Sequence, residues 1–299
     1  MDTIRQTTLA HVKKILIKVG SAVLTGSNGL DLKIINSLVR EISGLIDKGY
    51  AVVLVTSGAI ASGKHRLKIT ANLKSMPEKQ AAAAIGQGRL MRIYSKAFEK
   101  NGHYVAQILL TLSDLTDRQR YLNVRNTLST LMEWGAIPII NENDTVAVDE
   151  IKFGENDNLA AMIANIIEAD LFINLTSIDG LYDRNPAVSR KAKLIPLVSE
   201  FSNDIEAAAT EETSSVGTGG MRSKVLAAKK VTAIGIPCII APGKKKNVLT
   251  DIVSGKEIGT LFLPMADRLN SKKYWIAFTL RPRGKLVIDD GAQKALLER

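Results

Sequence analysis

The sequence predicts an α/β protein: an open αβα sandwich around a mainly parallel central sheet, with a short C-terminal β-rich extension. Short apolar runs of strand length alternate with longer stretches in which apolar residues recur at helical spacing. Polar or glycine-rich segments follow several of these runs, as they do where parallel sheets bind ligands. The 299 residues accommodate one large α/β domain or two smaller ones, and 45% hydrophobic with 23% charged residues exclude a disordered or collagen-like chain.

The predicted elements begin with a short apolar strand that only Lys18 interrupts. Asp31 can cap the next helix, whose apolar residues keep helical spacing until the chain reaches Gly49. Three further helices are predicted at Lys79–Lys100, Asn158–Glu168 and Gly220–Ile234, and a fourth helical stretch runs through Leu131. The predicted strands are Ile15–Val19, Ala51–Thr56, Val105–Leu110, Ala136–Ile140, Leu171–Thr176, Pro237–Ala241 and Thr260–Leu263.

The composition restricts the chemistry that the chain can perform. Its single cysteine, Cys238, cannot form an internal disulfide and lies in an apolar run, which favours a core position over a nucleophile. Three histidines and one cysteine do not supply an ordinary structural zinc site, and no histidine lies in a triad-like pattern. Catalysis is therefore expected from lysine, aspartate, asparagine, serine and backbone amides.

The charge of the chain indicates anionic ligands. Forty Lys and Arg residues against thirty Asp and Glu give a net charge of +10, which suits partners from ATP to nucleic acid. The longest uncharged stretch, Gly49 to Gly63, is shorter than the roughly 20 apolar residues that span a bilayer. Since no signal-peptide pattern opens the chain either, we expect a cytoplasmic protein without a membrane partner.

Five segments near predicted strand ends or helix starts predict a phosphate-handling site. Glycines let backbone amides approach a phosphate, and a helix N-terminus adds a favourable dipole, although each segment alone is equally typical of a turn. Neither a P-loop motif nor a Gly-x-Gly-x-x-Gly motif opens the first βα turn. The segments are Lys18–Ser21, Thr56–Ala59, Asn141–Asp144, Thr176–Ser177 and Gly217–Lys224.

Two features within these segments point to specific chemistry. Lys18 lies inside an apolar strand, where its ammonium either extends to solvent at the strand end or binds an anion, and the Gly-Ser pair that follows favours the anion. Asp157 or Asn158 would serve as the cap of the next helix. The whole cluster Asn156–Asn158 is suited to binding an amino acid and orienting nearby lysines.

Several motifs resemble one known family. The Lys-Val-Gly-Ser start, the Asn-Glu-Asn-Asp segment and the Gly-Glu-Asn-Asp-Asn segment occur here in the order seen in the glutamate 5-kinase branch of the amino acid kinase family. The resemblance covers roughly residues 12–265 and implies the amino acid kinase fold over 1–268. The segments that carry it are Ile17–Ser21, Val55–Ile60, Lys79–Ala84, Pro138–Asp144, Gly154–Leu159 and Thr218–Lys224.

This resemblance implies phosphorylation of the γ-carboxylate of L-glutamate by ATP, with Mg²⁺ on the ATP phosphates. Lys18 and Lys224 are then the cations that flank the transferred group, and Asp157 orients both. The resemblance also implies the first step of proline biosynthesis, feedback inhibition by proline, and a homodimer or homotetramer. The implied glutamate contacts are Ser57, Asn141, Asp144 and Asn156. The implied ATP contacts are Lys18, Thr176, Ser177, Thr218, Gly219, Gly220, Met221, Arg222, Ser223 and Lys224.

The C-terminal segment leaves an alternative open. Residues 269–299, with strand candidates at Tyr274–Leu280 and Lys285–Ile288, resemble the opening of a PUA domain and form an incomplete PUA-like extension. Six Lys or Arg residues and no acid lie between Arg268 and Lys285, which fits either RNA binding or an ordinary basic strand surface, the reading we favour. A second alternative is an acetylglutamate-type kinase. Asp144 argues against it, because a carboxylate suits the free ammonium of glutamate better than an N-acetyl group.

Overall fold

The computed structural model describes residues 3–26, 29–147, 155–210, 220–265, 284 and 287–297. Within them, the strands and helices alternate as the sequence predicts. The strands are β1 Lys14–Val19, β2 Thr25–Gly26, β3 Gly29–Leu30, β4 Ala51–Thr56, β5 Val105–Leu110, β6 Ile137–Glu142, β7 Leu171–Thr176, β8 Leu197–Val198, β9 Cys238–Pro242 and β10 Thr260–Phe262. The helices are α1 Ile4–Leu9, α2 Ser21–Leu24, α3 Leu32–Ile46, α4 Ala59–Arg66, α5 Met76–Glu99, α6 Leu112–Thr116, α7 Arg118–Glu133, α8 Glu155–Ile166, α9 Asn203–Thr210, α10 Met221–Thr232, α11 Val248–Val253 and α12 Asp290–Leu297.

Eight of these strands form one sheet in the order β5-β6-β4-β1-β7-β9-β10-β8, and β2 and β3 pair separately. Every neighbouring pair in the large sheet is parallel except β9 and β10. Strands β4, β6 and β5 lie on one side of β1, and β7, which follows them in the chain, lies on the other side of β1. The carboxyl ends of β1, β4, β6 and β7 therefore meet at one edge, where parallel sheets bind ligands.

Two hydrophobic clusters cover opposite faces of the sheet. Ile15 and Ile17 of β1 belong to the cluster that includes buried residues of α3, α5 and α11. Leu16 points to the other face and joins the cluster of α8 and α10. This alternation along a fully buried strand produces the three-layer sandwich that the sequence predicts. Since Lys18 follows Leu16 by two residues, its side chain lies on the α8 and α10 side.

Helices α4 and α5 pack closely through glycines. A Cβ atom added at Gly63 would lie 1.8 Å from the carbonyl oxygen of Ala82, and one added at Gly86 would lie 1.8 Å from that of Ala59. No side chain fits at either contact, so the two glycines fix α5 against the helix that follows β4. None of the helices in the described ranges has the length and apolar character that a bilayer crossing requires.

Two local predictions are wrong. Helix α8 begins at Glu155, so Asp157 and Asn158 lie inside the helix and do not cap it. Val287 and Ile288 lie outside any strand, because Asp289 starts a helix there by accepting a hydrogen bond from the Ala292 amide at 2.8 Å. The other strand candidate, Tyr274–Leu280, lies outside the described residues.

Candidate active site

The candidate site lies at the edge where the central parallel strands end. Lys18, near the end of β1, is in register with Asn174 of β7 and with Val55 of β4. Lys18 and Asn174 occupy the sheet face on which α8 and α10 pack, since each follows a residue of that cluster by two positions. Two buried polar side chains thus lie next to each other on an otherwise apolar surface.

An ion cluster centred on Asp157 covers this surface. The Lys18 Nζ lies 2.6 Å from one carboxylate oxygen of Asp157, and the Lys224 Nζ lies 3.6 Å from the other. Asp157 is 1% exposed, Lys18 5% and Lys224 7%. Two lysine side chains thus converge on one buried carboxylate at the edge of the sheet where the strands end. Two cations held at such an edge suit an anionic ligand.

Neutral donors complete the surroundings of the Asp157 carboxylate. The Asn174 side-chain amide donates to Oδ1 at 3.0 Å, and the Ser223 hydroxyl donates to Oδ2 at 2.6 Å. Burial alone raises the pKa of Asp157, but the charges of the two lysines and the hydrogen bonds from Lys18 and Ser223 outweigh it and hold that pKa well below its usual value. Asp157 therefore remains an ionised counter-charge and is a poor proton acceptor.

A second, uncharged cluster joins the ends of β4 and β6 to the start of α8. The Asn156 amide donates to the Ser57 Oγ at 2.9 Å and to the Asn141 Oδ1 at 3.1 Å. Gly58 follows Ser57 with a φ of 107°, a left-handed conformation that favours glycine, and α4 starts there. Since Asn156 and Asp157 are consecutive, the first turn of α8 supplies both clusters.

The loop after β6 is attached at both ends. The backbone N–H of Asn143 donates to the Leu110 carbonyl at 2.8 Å, and the side-chain amide of Gln80 in α5 donates to the Ala147 carbonyl at 3.0 Å. Asp144 lies half-buried in the turn between these two attachments. This predicted glutamate ligand is therefore three residues beyond Asn141 on an anchored loop.

The predicted ATP contacts have different surroundings. Thr176 is buried at the end of β7, whereas Ser177 and Arg222 are exposed. Gly220 caps α10, and the Met221 side chain packs into the hydrophobic cluster behind the site. Ser223 and Lys224 both contact Asp157, while Thr218 and Gly219 lie outside the described residues.

Three polar residues near the site were not among the site residues predicted from the sequence. Asn174 binds Asp157, Gln80 holds the loop after β6, and Gln87 of α5 accepts from the Asn141 amide at 2.9 Å. Asn174 carries a usable signal, because it is a lone amide in an apolar strand, as Lys18 is a lone cation. Cys238 lies in the core as predicted, and burial raises the pKa of its thiol.

Comparisons with known proteins agree with this geometry. The sequence pattern of the amino acid kinase family matches residues 13–242. A relative named glutamate 5-kinase from Syntrophus aciditrophicus (strain SB) is 72% identical over 298 residues, 100% of this chain and 77% of the relative. Glutamate 5-kinases of Trichlorobacter lovleyi and Geobacter sulfurreducens are 53% and 51% identical, over 99% and 96% of this chain and 79% and 78% of theirs.

The solved structure of a UMP kinase from Bacillus anthracis shares the fold, with a TM-score of 0.58 at 15% identity over 85% of this chain and 97% of that one. The similarity to this structure extends to the architecture alone, since the sequence identity is low. The chain belongs to the amino acid kinase family.

Proposed function

We propose that this chain transfers the γ-phosphoryl group of ATP to the γ-carboxylate of L-glutamate, which gives γ-glutamyl phosphate and ADP, the first step of proline biosynthesis. The observation that carries the proposal is the buried Asp157 cluster, in which Lys18 and Lys224 converge on one carboxylate beside the amide cluster of Asn156. The relative named glutamate 5-kinase, 72% identical along the whole chain, supports this choice of acceptor.

The reaction needs charge stabilisation and does not need a general base. A side-chain carboxylate has a pKa of about 4.3 and is already ionised at neutral pH. The barrier comes from bringing this anion against an anionic phosphoryl group, so fixed cations at the equatorial oxygens lower it. The low pKa of Asp157 agrees with this, because the residue stays charged and keeps its two lysines in place.

In the step itself, a γ-carboxylate oxygen of glutamate forms a bond to the γ-phosphorus of ATP. The bond between that phosphorus and the β,γ-bridging oxygen breaks, and its electron pair leaves on ADP. We assign Lys18 and Lys224 to the developing charge on the transferred group. Asp157 holds the two ammonium groups on opposite sides of its carboxylate, at 2.6 and 3.6 Å.

Recognition of the amino acid is assigned to the amide cluster and the loop after β6. Ser57, Asn141 and Asn156 supply neutral donors and acceptors, and Asp144 supplies a carboxylate for the substrate ammonium. An N-acetyl group carries no positive charge for that carboxylate to bind. Free glutamate is therefore favoured over an N-acetylated acceptor.

The nucleotide is assigned to Thr176, Ser177 and Thr218–Lys224, of which Thr218 and Gly219 lie outside the described residues. Mg²⁺ would enter with the ATP phosphates as part of the substrate. No group of three His, Cys, Asp or Glu side chains in the described residues is arranged to hold a metal, and Asp157 is already bound by lysines. A hard cation that keeps most of its ligands from phosphate and water fits such a site.

The remaining proposals concern regulation, assembly and location. Proline, the end product of the route, carries an α-carboxylate and a cationic amine, so it can occupy the glutamate pocket and inhibit competitively. We also propose a homo-oligomer, dimer or tetramer, that acts in the cytoplasm without a membrane partner. An RNA-binding role for 269–299 is the less favoured alternative, and residues 269–283 of that region lie outside the described ranges.

A substrate panel tests the proposal. ADP release is measured with L-glutamate, L-aspartate and N-acetyl-L-glutamate as acceptors at saturating Mg–ATP. We expect kcat/KM for L-glutamate to exceed the values for the other two acceptors by roughly 100-fold or more. A site that binds a charged substrate group strongly rejects an analogue that lacks or misplaces that group. Faster turnover of N-acetyl-L-glutamate would identify an acetylglutamate-type kinase instead.

A further inference from the structure

Gln87 of α5 is a buried polar side chain that the proposed mechanism does not use. It is 8% exposed and lies on the face of α5 that packs on the sheet. Its Oε1 accepts a hydrogen bond from the Asn141 Nδ2 at 2.9 Å. Fifty-four residues separate the two in sequence, so the contact depends on the tertiary fold alone.

The direction of this hydrogen bond is fixed by the backbone. The Glu142 N–H donates to the Asn141 Oδ1 at 2.9 Å, and a backbone N–H can only donate. The Asn141 amide therefore presents its oxygen to Glu142 and its nitrogen to Gln87. Gln87 must in turn present its oxygen, which makes the position an acceptor rather than an interchangeable amide.

The same network continues into the assigned glutamate site. The Asn141 Oδ1 also accepts from the Asn156 amide at 3.1 Å, and Asn156 donates to the Ser57 hydroxyl at 2.9 Å. The Gln87 Nε2 is buried and has no hydrogen-bond partner among the described residues. The contact through which Gln87 is joined to the site is therefore its hydrogen bond with Asn141.

Helix α5 holds this network rigidly. Gly86, next to Gln87, lies so close to α4 that a Cβ there would be 1.8 Å from the Ala59 carbonyl oxygen. Seven residues before Gln87, or about two helical turns, Gln80 binds the Ala147 carbonyl at 3.0 Å. The two glutamines thus attach both ends of the segment from Asn141 to Ala147, which contains Asp144.

We infer that Gln87 is a positioning residue for the amino-acid substrate: its Oε1 fixes Asn141, and Asn141 fixes the amide of Asn156. The inference rests on the proposed function, because it assigns the Asn156 cluster to glutamate. Loss of the Gln87 acceptor lets Asn141 turn and leaves its Nδ2 buried without a partner. Glutamate binding weakens as a result, while the Asp157 cluster and the nucleotide side keep their contacts.

The test is a double-mutant cycle between Gln87→Met and Asn141→Ala, with glutamate KM, ATP KM and kcat as readouts. Gln87→Met keeps the length of the side chain and removes the acceptor. We expect it to raise glutamate KM by about 10-fold, with ATP KM and kcat within about 2-fold of wild type. In the Asn141→Ala background the same substitution should change glutamate KM by less than about 2-fold. Gln119→Met, at an exposed position of α7, is the matched control and should change nothing.

Each other outcome overturns the inference. An equal rise of glutamate KM in both backgrounds shows that Gln87 does not act through Asn141, and an equal rise of glutamate and ATP KM shows general damage. Should Gln87→Met fail to fold, Gln87→Asn withdraws the acceptor by one methylene group and must give the same pattern. If the wild-type chain phosphorylates glutamate and Gln87→Met leaves glutamate KM unchanged, the inference is refuted and the proposed function still stands. A wild-type chain inactive on glutamate refutes the proposed function, and the inference falls with it.

Discussion

Removal of the Lys18 charge is the perturbation with the most direct consequence for catalysis. Its Nζ lies 2.6 Å from Asp157, and Lys18→Met removes one positive charge from the cluster. One unit charge at about 4 Å from the transferred group, at an effective dielectric constant of about 20, contributes roughly 4 kcal/mol. Loss of one preorganised donor typically costs about 2.7–4 kcal/mol. We therefore expect kcat to fall by roughly 10²- to 10³-fold.

The assay is ADP release at saturating ATP and glutamate, together with thermal unfolding of each variant. Glutamate KM should change much less than kcat, because the charge acts mainly in the transition state. Lys33→Met removes an exposed lysine from α3 and serves as the matched control. A folded Lys18→Met variant with kcat within about 5-fold of wild type would refute the assignment.

Three further predictions follow from the same geometry. Asn156→Ala and Asp144→Ala should raise glutamate KM far more than ATP KM in initial-rate kinetics, and an effect confined to ATP would show that the two sites are exchanged. Proline should inhibit competitively with glutamate, so calorimetry should find that each weakens the other equally; simultaneous binding without weakening would exclude a shared pocket. The depressed pKa of Asp157 stabilises the fold above the unfolded value of about 3.9, and this stability is lost as pH falls below it. The unfolding free energy measured in denaturant should therefore depend less on pH between about 5 and 3 in Asp157→Asn, and an unchanged slope would refute this.

Much of the fold could be predicted because its central strands are buried on both faces. Runs such as Ala51–Thr56 and Leu171–Thr176 are mostly apolar, and the structure confirms their bounds. The strand predicted at Thr260–Leu263 is present as β10, but its antiparallel pairing with β9 was not predicted. The two-residue strand β8 was not predicted either, since two residues carry no periodicity. Helix α8 begins at Glu155, three residues before the predicted start, and the prediction missed this first turn because its residues are polar.

The candidate site also contains residues that could be predicted from the sequence and residues that could not. Lys18, Asp157 and Lys224 come from recognisable segments, and the structure brings them together. Neither Gln87 nor Asn174 lies in such a segment; Asn174 is marked only as a lone amide in an apolar strand, and Gln87 is one polar residue within an ordinary helix. Their partners lie 54 and 17 residues away in the sequence, so only the packed structure reveals what they bind.

Trapping of the acyl phosphate tests the central claim most directly. The chain is incubated with Mg–ATP, L-glutamate and excess hydroxylamine, which converts an acyl phosphate into a hydroxamate, and both ADP and hydroxamate are quantified. The account predicts γ-glutamyl hydroxamate and ADP in a one-to-one ratio, with both abolished in Lys224→Ala. Release of ADP without hydroxamate, or formation of hydroxamate that Lys224→Ala leaves unchanged, would contradict it.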